Sequence, residues 1–251
     1  MPIVNDGLEE ELQWVTIPEE SSRIRGILEK ADPLMQDIAF YVIVGEHHQT
    51  DRLTKEALDR EFDPNVILDD GLIAGMAVVG VKFRDNVIFV PEVLVAARAM
   101  KAGMKHLDPI LSASGIEPVG TVIMGTVQGD LHDIGKNLCG MMLAGAGFSV
   151  HDLGVDTKPQ EFVDAVVEHK AELVGMSALL TTTMRNIETT NRAFEQAGLR
   201  EKVRTMAGGA ALSRELAHKM KCDGYGKDAL ACVEKAKELL EQVKLSTSAA
   251  T

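Results

Sequence analysis

The stretch Gly125-Thr-Val-Gln-Gly-Asp-Leu-His-Asp-Ile-Gly-Lys-Asn137 decides the fold. It leaves a short apolar run, Thr121–Val127, and enters a segment of helical periodicity, Gly135–Ala146. That is a strand, a polar loop and a helix in sequence. The texture repeats downstream. Phe148–Leu153, Leu173–Ala178 and Val203–Ala207 read as further strands, Cys222–Tyr225 as a fifth, and helical stretches such as Pro159–His169 lie between them. Strand–helix alternation implies a doubly wound parallel sheet of Rossmann-like α/β class, with ligands beyond the carboxyl ends of the strands. The quoted loop sits there. It is not a phosphate-binding P-loop, because Gly129 and Gly135 enclose five residues and Asn137 follows Lys136. No Gly-x-Gly-x-x-Gly follows a strand either.

Upstream the pattern is helical. Ser22–Lys30 reads as a short helix, Pro33 opens another, and Asp51–Glu61 is a charged, Leu-punctuated third. Pro64 stands at a helix start ahead of Ile67, Leu68, Leu72, Met76 and Val79, and Pro91 starts a last helix. A bundle of at least four helices is expected. The expected organisation is a flexible lead-in over 1–18, a helical domain over 19–112, a linker over 113–118, an α/β domain over 119–244 and a disordered tail over 245–251.

Composition narrows the function classes. The 251 residues are 45% hydrophobic and 25% charged, an ordinary globular balance. The net charge of −12 argues against nucleic acid as a partner, since phosphates need a basic surface. No apolar stretch approaches the ~20 residues of a membrane span, so no membrane partner is expected. The start, Met1–Asp6, shows no leader pattern, and three scattered cysteines (Cys139, Cys222, Cys232) support neither a disulfide framework nor a zinc site. A reducing cytoplasm is the expected location.

Chemistry concentrates in Asp130-x-His132-x-x-Gly135. An imidazole at a strand end can bind a metal through one nitrogen while a carboxylate holds the other N–H, fixing the tautomer and raising ligand basicity. Alone, this short pattern is weak. Its continuation is not: 41 residues (136–176) lead to Ser177-Ala-Leu179, and 28 more (180–207) lead to Gly208-Gly209. Three elements in register across 80 residues resemble the cobalamin-binding domain of corrinoid methyl-transfer proteins, including the B12 module of methionine synthase.

The resemblance implies a sheet in flavodoxin order and roles for named residues. His132 is implied as the lower axial ligand of cobalt, displacing the cofactor's dimethylbenzimidazole, with Asp130 holding His132 and Thr183 completing the relay where methionine synthase has serine. Ser177 and Leu179 are implied to line the slot for the displaced nucleotide tail, Gly208 and Gly209 to leave it room, and Asp133, Ile134, Gly135 and Thr181 to be further cofactor-binding residues. Asp70–Phe83 and Val87–Met100 resemble the four-helix-bundle cap of the same proteins, which shields a bound methyl group; Phe83 and Val90 match the shielding pair. The cofactor implied is cobalamin cycling between Co(I) and methyl-Co(III). The implied function is a methyl carrier with no complete active site of its own, served by a substrate-specific corrinoid methyltransferase, an acceptor methyltransferase (tetrahydrofolate or a thiol) and a reductive activase.

Rival readings are a cobalamin-dependent regulator, opposed by the acidic chain without a basic DNA-binding segment, and an adenosylcobalamin mutase subunit, which normally lacks the cap. A flavodoxin-like nucleotide binder leaves the long spacing unexplained. Other candidates read more simply. His47-His48 is a solvated helix end, His151 and His169 face solvent, Cys139 is a small buried hydrophobe, and Glu92 complements a helix N-terminus.

Overall fold

The computed structural model describes residues 5–15, 18–113 and 118–248. The chain divides into two compact units, Met1–Glu117 and Pro118–Thr251. Among the described residues no helix is long and apolar enough to cross a membrane.

The first unit is helical: α1 (Asn5–Leu12), α2 (Pro18–Leu28), α3 (Pro33–Ile43), α4 (His47–Asp59), the single turn α5 (Pro64–Val66), a π-helical stretch (Ile67–Ile73), α6 (Ala74–Arg84) and α7 (Val90–Ala113). Two starts follow one recipe. Asp32 and Asp63 each accept a backbone N–H two residues on, at 2.9 Å, and a proline occupies the first helical position. At the head of α7, Glu92 accepts the backbone N–H of Phe89 at 3.0 Å, so its charge serves the helix start as expected. Four columns form the bundle: α3 packs on α4 and on the π stretch and α6, while α4 packs on α7. Met35, Ile38, Val42, Leu53, Ile67, Leu72 and Val79 fill it, each contributing roughly 1.5–3 kcal/mol by burial.

The expected lead-in over 1–18 is corrected where the structure describes it. Leu8 and Leu12 share one face of α1 and are buried with Val15. Arg25 reaches the Leu12 carbonyl at 3.1 Å, and Glu11 pairs with the buried Lys82. The acid-rich composition suggested a frayed end, but an i,i+4 leucine pair suffices to dock it. Residues 1–4 and 16–17 lie outside the described residues.

The second unit alternates β1 (Thr121–Thr126), α8 (Ile134–Gly145), β2 (Ser149–Asp152), α9 (Pro159–His169), β3 (Leu173–Ser177), α10 (Arg185–Gln196), β4 (Arg204–Gly208), α11 (Arg214–Lys219), β5 (Gly224–Gly226) and α12 (Ala229–Ser248). All pairings are parallel and the order is β2-β1-β3-β4-β5, the doubly wound flavodoxin order. α8 packs with α12 and α9 with α10, and the core beneath α9 and α10 includes Ile123, Phe162, Val174 and Phe194. The expected disordered tail is corrected in part: α12 continues to Ser248, and 249–251 lie outside the described residues. Of the expected linker, 113 closes α7 and 114–117 also lie outside them. Winding reverses between β1 and β3, so their carboxyl ends open the crevice where a doubly wound sheet places its ligand.

Candidate functional site

The loop leaving β1 is built before any ligand is considered. Gly129 takes φ +82°, a left-handed turn that glycine adopts without steric cost, and Asp130 N–H closes it on the Val127 carbonyl at 3.1 Å. The Thr126 hydroxyl donates to the His132 carbonyl at 2.9 Å. Asp156, in the loop after β2, accepts the Gly129 N–H at 2.6 Å and donates its own N–H to the Asp130 carbonyl at 3.0 Å. Asn186 at the start of α10 donates to the Gln128 carbonyl at 2.6 Å.

Within this frame the Asp130 side chain is fully buried. Its Oδ1 accepts from His132 N–H at 3.1 Å and His132 Nδ1 at 2.7 Å. Its Oδ2 accepts from the Thr183 hydroxyl at 2.7 Å and the backbone N–H groups of Leu179 (2.8 Å) and Leu180 (3.3 Å). Burial pushes this carboxyl up, but the hydrogen bonds from Thr183, His132 and Leu179 outweigh it and hold the group well below the usual carboxylate range. An ionised carboxylate only accepts, so Nδ1 carries the proton and the lone pair of His132 is on Nε2. The His132 side chain is 52% exposed. The outcome is a fixed imidazole presenting one basic nitrogen outward.

The structure brings most of the expected residues to this crevice. Asp130, His132, Leu179 and Thr183 are directly bonded. Ser177 stands in register between Thr126 and Gly208, its carbonyl accepting Val127 N–H at 3.0 Å. Asp133 precedes α8 and accepts from Asn137 Nδ2 at 3.0 Å, while Ile134 and Thr181 are exposed. Phe83 and Val90 belong to the other unit, where both are half-buried at the ends of α6 and α7.

The paired glycines need a revised reason. A Cβ at Gly209, where φ is +136°, would lie 1.9 Å from the Ala178 carbonyl oxygen, and one at Gly208 would lie 2.9 Å from that of Gly226. The chain's own backbone therefore demands both glycines, irrespective of a ligand. Gly135 is the opposite case: a Cβ there would meet nothing within 4 Å. Leu131 and Ile134 beside it are 71% and 75% exposed, and Leu180 is exposed too. Apolar side chains and an open glycine around one outward nitrogen describe a surface made to be covered.

Sequence reasoning missed Thr126, Asp156 and Lys136. The Lys136 ammonium is buried, reaching Asn137 Oδ1 at 2.7 Å and Asp152 Oδ2 at 2.5 Å, which fixes the first turn of α8 to the end of β2. Two dismissed features also differ from expectation. His151 and His169 stack on each other at 3.7 Å, half-buried, and Cys139 is half-buried.

Both units are similar to known proteins. Residues 120–234 match a family described as B12 binding domain, and residues 34–108 match a second family of the same description. The dimethylamine corrinoid protein of Methanosarcina barkeri is 39% identical over 211 residues, 83% of this chain and 98% of that protein. The trimethylamine corrinoid protein 2 of Methanosarcina mazei is 42% identical over 191 residues, 75% of this chain and 88% of its own. In the crystal structure of the methanol:cobalamin methyltransferase complex MtaBC from Methanosarcina barkeri, one chain superposes with a TM-score of 0.77. It is 30% identical, over 90% of this chain and 86% of that one.

Proposed function

Because the chain belongs to the family of B12-binding corrinoid proteins of methyltransferase systems, we propose that it is a methyl carrier whose cobalamin is held through His132 Nε2. When bound, the corrinoid supplies a cobalt centre that accepts a methyl group from a donor and yields it to an acceptor. The residues fit such a group. The single supporting observation is the buried Asp130 carboxylate on His132 Nδ1, which leaves Nε2 as a basic nitrogen on a half-exposed ring. Exposed Leu131, Ile134 and Leu180 suit an apolar macrocycle face, and the open Gly135 spares it a methyl clash.

The chain's own residues hold the ring. Nδ1–H is kept on Asp130, so the Nε2 lone pair is the one left for a ligand. Asp130 stays ionised, and Thr183 O–H and the backbone N–H groups of Leu179 and Leu180 keep that carboxylate from turning away. Ser177, Leu179, Gly208 and Gly209 are proposed to border the nucleotide tail, Thr181 to be a further cofactor contact, and Phe83 and Val90 to shield the methyl group.

A partner methyltransferase that loads the carrier is supported by the solved MtaBC complex. An acceptor methyltransferase and a reductive activase complete the proposed cycle. Among methanol, methylamines, betaines and methoxyaromatics, the relatives at about 40% identity favour a methylated amine as donor. The test is reconstitution with hydroxocobalamin followed by desalting. Wild type should stay red with a histidine-ligated spectrum and His132→Ala should lose that signature; a colourless wild type overturns the reading.

A further inference from the structure

Lys82 lies in the last turn of α6 and is buried, a position that an ammonium tolerates only with a partner. That partner is Glu11 on α1, 71 positions upstream. Apolar contacts bring the carboxylate there. Leu8 and Leu12 are buried with Val15, and α1 packs so close on α3 that a Cβ on Gly7 would lie 2.9 Å from the Phe40 ring. Arg25 of α2 holds the end of the helix through the Leu12 carbonyl at 3.1 Å. α1 lies ahead of both segments that match the B12-binding families. The backbone of Lys82 has a second task. Its carbonyl accepts Val87 N–H at 2.8 Å and Ile88 N–H at 3.3 Å, with Asn86 at φ +57° between α6 and α7. The turn is therefore closed on Lys82. Phe83 follows that lysine and Val90 opens α7, so the two residues proposed to shield the methyl group stand at the two ends of the turn.

We propose that Glu11 is a positioning residue: through Lys82 it holds the α6–α7 turn, and with it Phe83 and Val90, in the arrangement that covers a cobalt-bound methyl group. The hold on the turn stands on the contacts within the helical unit; its consequence for the methyl group rests on the carrier function proposed above. Without the Glu11 carboxylate the Lys82 ammonium is stranded and must reach water. At the last turn of α6 it can do so by fraying the helix end, which takes the Lys82 carbonyl away from Val87 and Ile88. The same helix carries a natural comparison. Glu9 meets Arg25 at 3.2 Å, but that carboxylate is exposed, so its loss strands nothing.

The experiment compares full-length wild type with Glu11→Gln, Glu9→Gln and the double variant Glu11→Gln/Lys82→Met. Amide hydrogen exchange of the cofactor-free chain is read first. Peptides over 83–90 should exchange about tenfold faster in Glu11→Gln and as slowly as wild type in Glu9→Gln. Lys82→Met removes the stranded charge and should restore slow exchange in the double variant. Each chain is then loaded with methylcobalamin and illuminated, and methyl loss is followed by visible absorbance. Loss should be severalfold faster in Glu11→Gln than in wild type, and slow again in the double variant. Exchange over 83–90 as slow in Glu11→Gln as in wild type overturns the proposal. So does equal loosening in Glu9→Gln, or a loosened turn with unchanged methyl loss. A chain that exchanges as expected but takes up no cobalamin upholds the hold on the turn and overturns the carrier reading instead.

Discussion

Two histidine–aspartate pairs, one in each unit, look alike at the level of the contact and differ in everything behind it. His132 Nδ1 meets Asp130 Oδ1 at 2.7 Å after β1; His106 Nε2 on α7 meets Asp51 Oδ1 on α4 at 2.9 Å. In the helical unit the carboxylate is the exposed partner, 45% accessible, and the imidazole is the more buried one. In the α/β unit the order is inverted: the carboxylate is sealed in and the ring is half in solvent. Only the second arrangement suits the proposed ligand role, because a buried carboxylate with further donors cannot drift, and the half-exposed ring keeps Nε2 free for something outside. The contact is common; the burial order makes it a site.

Removing each carboxylate should separate the pairs most sharply. Asp130→Ala strands the Thr183 hydroxyl, the backbone N–H groups of His132, Leu179 and Leu180 and the His132 ring, and should cost about 3–5 kcal/mol in urea unfolding. Asp51→Ala removes half of a surface pair and should cost less than about 1 kcal/mol. Equal losses would erase the distinction.

Acid titration sharpens it next. Asp130 has its pKa depressed by folding, so its stabilisation is complete above the ordinary carboxylate range and fades as pH falls through about 4 toward the lower folded value. In that window the unfolded chain binds more protons than the native one. Wild type should therefore lose up to about 1.4 kcal/mol per pH unit more than Asp130→Asn. Parallel stability–pH curves for the two below pH 4 would show that Asp130 is not held ionised.

Thr183 gives a smaller effect. Thr183→Val should cost about 1–2 kcal/mol by leaving a buried carboxylate oxygen one donor short, and Thr183→Ser should recover most of it. Full stability in the valine variant, measured by denaturant midpoint, would mean that the two backbone donors hold Asp130 unaided. Smallest in stability is Gly135→Ala. With nothing near its Cβ and a helical position, it should change unfolding by no more than about 1 kcal/mol while weakening cobalamin retention on desalting. Unchanged retention would argue that the face around His132 is left uncovered.

How much of this was legible in the sequence follows from contact range. Asp130 and His132 are two residues apart, so their pairing could be read from the string, and apolar runs showed the strands. Strand limits slipped where tertiary contacts decide them. Val127 leaves β1 for an isolated bridge to Thr157, and β5 starts late because Asp223 is occupied with the backbone of Thr205. Thr183 entered only through resemblance, since 53 residues separate it from Asp130. Asp156 was invisible: its bond to Gly129 spans 27 residues and no residue pattern announces it. Leu8 and Leu12 were readable as a helical face, but the acid-rich composition around them suggested a loose end.

The proposed bond from His132 to cobalt can be tested directly by electron paramagnetic resonance. Cobalamin bound to the chain is reduced to low-spin Co(II), and protein grown with 15N-labelled histidine is compared with unlabelled protein. Nitrogen from the imidazole should change the ligand splitting from three lines to two on labelling. A triplet that persists in the labelled protein would mean that the cofactor keeps its own base and that His132 does not hold it.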